Sequence, residues 1–205
     1  ACEKGGQWER ALALLDDMPA RGLEPDVISF NAAISACEKS AQWQRALALL
    51  QEMRARGVEP DVVSFNAVIA ACGKGKQWER AFSLLDAMIA RGLQPDAISF
   101  SAGIKACEKG GLWEHTLVLL DEMKAQHITP DLLTLNTAIS AFAKAKQWRH
   151  ATAILEGMPA LGVKPTAQTF DLAIAACERS AAWERTLELL DAMRARGLDP
   201  SAKRF

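Results

Sequence analysis

Lys4, Lys39, Lys74, Lys109, Lys144 and Arg179 recur at an unbroken spacing of 35 residues. A cation repeated at one interval suits a polymer with regularly spaced anions, such as a phosphate backbone. Eight residues before the last five of these cations stand Asn31, Asn66, Ser101, Asn136 and Asp171. Thirty residues after each of those comes a second short polar group: Asp61, Asp96, Asp131, Thr166 and Ser201. An amide carries donor and acceptor together, a carboxylate only accepts, and groups of both kinds pair with base edges. Each has a plainer reading. A lysine at a helix C-terminus offsets the macrodipole. An aspartate after a proline is an N-cap. Ser29, Ser64, Ser99, Thr134 and Thr169, three residues after Asp26 and its counterparts, are alternative caps that would free the acids.

Other chemistry is missing from the pattern. The chain has no CxxC pair, and His115, His127 and His150 are scattered, so no metal site is expected. No Gly-rich phosphate loop, nucleophile–base arrangement or carboxylate pair stands out, and no cofactor is expected. Glu79 and Glu184 beside tryptophans read as solvated helix charges.

The net charge of −1 over 205 residues gives no overall basic signal, so any anion binding rests on where the charge is placed. No apolar run reaches the length of a membrane span, and no secretory leader is visible; membrane insertion is not expected. The five cysteines, Cys2, Cys37, Cys72, Cys107 and Cys177, hold equivalent places in different repeats. Equivalent helices lie about 8–10 Å apart, beyond the reach of a disulfide, so these read as free thiols packed as small apolar residues in a reducing compartment.

The elements that must position the polar groups follow from the same lattice. Six tryptophans (Trp8 to Trp183), six methionines (Met18 to Met193) and six prolines (Pro25 to Pro200) keep the 35-residue step. Counting slots from Val27, full repeats span 27–61, 62–96, 97–131, 132–166 and 167–201, with 1–26 and 202–205 as parts of two more. A fragment of a longer array is expected. In each repeat the second helix shows an apolar stripe, as in Trp43, Ala46, Leu47, Leu50 and Met53. It should end at a left-handed Gly57 before Pro60, with His127 departing from that glycine column. Pro19 and Pro159 should shorten their helices. The tryptophans read as core.

The first helix runs from about Val27 to Lys39. At about 100° per residue, Phe30, Ile34 and Cys37 make its core stripe, while Ile28, Asn31, Ser35 and Lys39 face the other way. One hairpin cannot bury its apolar face, so the expected fold is all-α, an α-solenoid superhelix of helix–turn–helix repeats.

With DVISFNAAISACEK followed by QWQRALALLQEMRARGVEPD at a 35-residue period, the whole chain resembles a P-type pentatricopeptide repeat protein. A tetratricopeptide reading fits less well, because its period is 34 and its WxxLGxxY pattern is absent. A tryptophan in slot 17 is a departure from the family, which has a smaller aliphatic residue there. The resemblance implies single-stranded RNA binding at one base per repeat. It implies base reading by the slot 5 and slot 35 pairs: Asn31 with Asp61, Asn66 with Asp96, Ser101 with Asp131, Asn136 with Thr166, and Asp171 with Ser201. The first two pairs look like uracil readers, the third like a guanine reader and the fourth like a pyrimidine reader. The fifth pair is unusual. Slot 2 residues Ile28, Val63, Ile98 and Leu133 would clamp the bases; Gln168 replaces the clamp in the last full repeat. Asp26 is a slot 35 residue without a slot 5 partner in the chain. Lys39, Lys74, Lys109, Lys144 and Arg179 would contact phosphates. The HxE element of the zinc deaminases found in some relatives is absent, so a binder without catalysis is expected. A plastid or mitochondrion is implied by the family alone. The competing reading, from a different class, is a structural solenoid subunit that holds protein partners in a large organellar assembly.

Overall fold

Each proline–acid step starts a helix, and each Trp starts another. The computed structural model describes residues 8–198. Among the described residues there are eleven α-helices and no strand. They are α1 (Trp8–Ala20), α2 (Val27–Lys39), α3 (Trp43–Ala55), α4 (Val62–Lys74), α5 (Trp78–Ala90), α6 (Ala97–Gly110), α7 (Trp113–Ala125), α8 (Leu132–Lys144), α9 (Trp148–Gly157), α10 (Ala167–Arg179) and α11 (Trp183–Ala195). The fold class is all-α, built of helix–turn–helix repeats.

The first helix of a repeat is held at its start by the acid before it. Asp26 accepts from the Ser29 N–H at 2.8 Å, Asp61 from that of Ser64 at 2.8 Å, and Asp96 from that of Ser99 at 2.8 Å. Asp131 accepts from the Thr134 N–H at 2.7 Å, and Thr166 plays the part for α10 with Thr169 at 3.4 Å. Of the two capping readings the sequence left open, the acids take the helix N–H groups. The hydroxyls answer the acids instead: Ser64 Oγ accepts from the Asp61 N–H at 3.2 Å, closing a capping box.

Helix ends are equally regular. The methionine column supplies a carbonyl to the turn after each second helix: Val58 N–H to Met53 O is 2.8 Å, and Ile128 N–H to Met123 O is 2.8 Å. The intervening residue is left-handed, at φ 72° for Gly57 and φ 56° for His127, so the histidine keeps the conformation of the glycines it replaces. The turns inside the repeats use the same device without advertising it. Ala41, Lys76, Lys146 and Ala181 are all left-handed, and among the described residues only Gly111 marks this slot with the residue that favours it.

The two prolines differ. Pro19 lies inside α1, which keeps the same 13 residues as α3 and is not shortened. Pro159 does break its helix: α9 stops after 10 residues and Met158–Leu161 form a 3-10 turn. Gly157, a poor helix former, precedes that proline and eases the break.

The described residues form two compact units that divide between Gly110 and Gly111. In the first, α2, α4 and α6 lie side by side, with α1, α3 and α5 packed behind them. In the second, α8 and α10 lie side by side with α9 packed against both. Phe30, Phe65, Phe100 and Phe170, with Met53, Met88, Met123 and Met193, are fully or almost fully buried. Burying one such phenylalanine contributes about 1.5–3 kcal/mol. Leu49, outside the expected stripe of α3, is also in the core. Cys37, Cys72, Cys107 and Cys177 are buried free thiols, and burial pushes Cys37 and Cys72 up to about 11.

The tryptophans are half-buried rather than core, which corrects the sequence expectation. Trp43 lies across the turn of the next repeat, where a Cβ on Gly75 would fall 2.2 Å from its Cδ1. Arg80 covers its ring, 4.5 Å from the centroid. In the second unit His150 takes the corresponding place beside Trp113, at 5.4 Å. Trp183 is the exception, at 66% exposed.

Two outcomes follow for stability. A left-handed non-glycine residue costs about 1–2 kcal/mol, partly offset by the greater freedom of glycine in the unfolded chain. His127→Gly should therefore raise stability by about 0.5–1 kcal/mol in urea unfolding. The carboxyls of Asp26, Asp61, Asp96 and Asp131 are all held below their ordinary value. A lowered folded value means the contribution is present above the unfolded value of about 3.9 and is lost as pH falls through the folded one. The urea midpoint should stay level from about pH 7 to about pH 5 and fall below about pH 4. Asp61→Asn with Asp96→Asn, which keeps capping side chains that do not titrate, should make that fall shallower.

Candidate nucleic-acid interface

The side-by-side helices of the first unit present three levels of side chain. Ile28, Val63 and Ile98 stand out in the first turns, Ile28 being 77% exposed. One turn further along are Asn31, Asn66 and Ser101. At the ends are Lys39, Lys74 and Lys109. The second unit repeats this with Leu133, Asn136 and Lys144 on α8, and with exposed Gln168, half-buried Asp171 and exposed Arg179 on α10.

The asparagines are deeper than their outward-facing stripe suggests. Asn66 and Asn136 are each only 7% exposed. Helices this close wall in a short side chain on the seam between them, so the amide must find partners across the seam. Asn31 Nδ2 donates to Asp61 Oδ1 at 3.1 Å, and Asn66 Nδ2 to Asp96 Oδ1 at 3.1 Å. Thus two of the five expected pairs are joined by the same hydrogen bond. In the Asn31 pair, Ser64 Oγ also donates to Asn31 Oδ1 at 2.6 Å. The oxygens of Asn66 and Asn136 are buried without a partner.

Asp61 and Asp96 feel opposing effects. Burial pushes both carboxyls up. Donors from Ser64 and Asn31, and from Ser99 and Asn66, outweigh it and hold them low. Both are thus anionic acceptors at neutral pH, which fixes each asparagine with its nitrogen toward the acid.

Of the other expected pairs, Asn136 with Thr166 lies within the described residues of one unit, and it is not joined this way. Ser101 belongs to the first unit and Asp131 to the second, where Asp131 caps α8. Thr166, expected beside Asn136, sets its hydroxyl 3.1 Å from that of Thr169. Asp171 is on α10, and its partner Ser201 lies outside the described residues, as does Lys4.

The cations are not equivalent either. Lys74 Nζ sits 2.7 Å from Glu38 Oε1 and donates to the Glu38 carbonyl at 3.1 Å, tying α4 to α2. Lys109 and Arg179 are exposed, and the residues at the place of Glu38 before them are Gly73 and Ala143. Sequence reading missed this split, although the alternation of Glu38, Gly73, Glu108, Ala143 and Glu178 signals it. Among the described residues no cluster of His, Cys, Asp and Glu could hold a metal ion, and no helix is long and apolar enough to cross a membrane.

The profile of the pentacotripeptide-repeat region of PRORP matches residues 1–109 and 27–205. No curated protein matches the chain. The crystal structure of the pentatricopeptide repeat protein PPR10 from maize matches at 32% identity and TM-score 0.80, over 98% of this chain and 29% of that one. PPR10 in complex with an 18-nt psaJ RNA element matches at 28% identity and TM-score 0.76, over 97% and 33%. The PPR domain of Arabidopsis thaliana protein-only RNase P 1, solved in complex with tRNA, matches at 19% identity and TM-score 0.71, over 83% and 90%, a likeness of fold alone. The chain spans about a third of the PPR10 chains it matches. With its 35-residue lattice and a family profile that covers it from end to end, the chain belongs to the pentatricopeptide repeat family.

Proposed function

We propose that this chain binds single-stranded RNA without catalysis, one base to each repeat. The observation that carries this reading is the Asn–Asp pair repeated on successive helices, flanked by an exposed aliphatic residue at one end and a cation at the other. The likeness to PPR10, solved with an RNA element, supports it.

In this reading Ile28, Val63, Ile98 and Leu133 pack against base faces. Asn31 with Asp61 and Asn66 with Asp96 select uracil. One amide N–H is held by the acid; the remaining N–H and the oxygen form an edge that meets the uracil imino N–H and carbonyl. Ser101 with Asp131 reads guanine, Asn136 with Thr166 a pyrimidine, and Asp171 with Ser201 reads weakly because Gln168 lacks an apolar face. The site of action is an organelle, a plastid or mitochondrion, where the RNA is processed or protected.

Two measurements test this. Asn66→Ser should turn that one repeat toward guanine, by analogy with Ser101–Asp131, with the other repeats unchanged. A base contact of this kind carries about 1–3 kcal/mol, so competition among RNAs differing at one base should show shifts of about tenfold or more. A parent protein with no base preference would overturn the reading and favour a protein-holding scaffold. Replacing Lys39, Lys74, Lys109, Lys144 and Arg179 with Ala should lower the log–log salt slope of RNA binding by about 3, at about 0.7 per phosphate on a single strand. Lys74 should contribute less than Lys109 or Arg179, because it must first leave Glu38. An unchanged slope would reduce these residues to helix-end charges.

A further inference from the structure

Asn31–Asp61 and Asn66–Asp96 are identical as letters and joined by the same 3.1 Å bond. They differ at the atom that would meet a base. Asn31 Oδ1 accepts from Ser64 Oγ at 2.6 Å, and the same hydroxyl lies 2.9 Å from Asp61 Oδ1. Asn31, Asp61 and Ser64 therefore form a closed triangle. In the next repeat Ser99 Oγ bonds Asp96 Oδ1 at 2.9 Å and turns its other side to the Met88 sulfur at 3.9 Å. Asn66 Oδ1 is left buried with no partner, on a side chain 7% exposed.

We infer that Ser64 is a specificity-setting residue: its hydroxyl occupies the acceptor of Asn31, making that repeat the weaker reader of an otherwise identical pair. The inference rests on the reading proposed above. A uracil imino N–H offered to Asn66 finds an empty, desolvated acceptor, and binding satisfies it. The same group offered to Asn31 must displace the Ser64 proton, which swings back to Asp61. Cytosine presents an acceptor at N3 where uracil presents its imino N–H, so at that position it gains from neither oxygen, and the two repeats should differ in how well they tell uracil from cytosine. A net hydrogen bond of about 1 kcal/mol corresponds to about fivefold in that ratio.

The probe is a set of short synthetic single-stranded RNAs in which each uridine in turn is replaced by cytidine. Dissociation constants are measured for the parent, Ser64→Ala and Ser99→Ala. The positions facing the two repeats are identified as those whose preference moves in Asn31→Ser and in Asn66→Ser. In the parent, uracil-over-cytosine discrimination should be about fivefold greater at the Asn66 position than at the Asn31 position. Ser64→Ala should raise the Asn31 ratio to that of Asn66, while Ser99→Ala, which removes the same hydroxyl from the same place in the next helix, should leave the Asn66 ratio unchanged. The parent comparison does not use Ser64→Ala, so a loss of folding in that variant leaves it intact. Equal ratios in the parent, or an Asn31 ratio that stays level or falls in a folded Ser64→Ala, would overturn the inference while leaving RNA reading in place. No base preference at either position would overturn both.

Discussion

One carboxylate oxygen serves two helices. Asp61 Oδ1 accepts the Ser64 backbone N–H that begins α4 and the Asn31 amide that projects from α2. Asp96 does the same between α6 and α4. The start of one helix and the orientation of a side chain on its neighbour are thus set by one group, and neither can shift without the other. This is why α2, α4 and α6 pack at a fixed register in the first unit, and why the polar groups on their seam are oriented before any ligand arrives. An acid with only one of these duties would leave the amide free to rotate and present either end.

The same oxygen explains a limit of sequence reading. Proline, acid and a hydroxyl three residues later offer two caps for one helix end, and letters alone present them as rivals. In three dimensions they cooperate, the acid taking the backbone donor and the hydroxyl of Ser64 or Ser99 supporting the acid. The helices themselves, their boundaries and the Phe and Met core columns were legible because a 35-residue period is a strong signal. The left-handed residue inside each repeat was not, because Ala41, Lys76, Lys146 and Ala181 adopt a conformation that, among the described residues, only Gly111 announces. Hydrogen bonding around the turn, as in Gln77 N–H to Cys72 O at 2.9 Å, outweighs the local preference of a lysine.

Burial was misjudged in two directions, both for the same reason. A helical wheel shows one helix, whereas exposure here is decided by the neighbouring repeat. Asn66 and Asn136 point away from their own core and are nevertheless walled in by the next helix. Trp43 lies at the edge of its own stripe and gains its cover from Arg80 and the Gly75 turn of the repeat that follows. The outer aliphatic residues, Ile28 and Val63, have no such neighbour and stay exposed as the wheel predicts.

The contact of Trp43 with Gly75 makes each repeat depend on the identity of its successor. The large ring belongs to one repeat and the recess that admits it to the next, so a repeat cut out and grafted elsewhere brings half of a joint. The recess is Gly75 after Trp43, but Ala145 after Trp113, and that Cβ accompanies a different ring environment with His150 in place of Arg80. Repeats of this chain are therefore not interchangeable parts. Reordering them would keep the seam residues intact and still mismatch these joints. The safer cut for such engineering falls just before each tryptophan, as between Lys76 and Gln77, so that Trp43 travels with the Gly75 turn it covers.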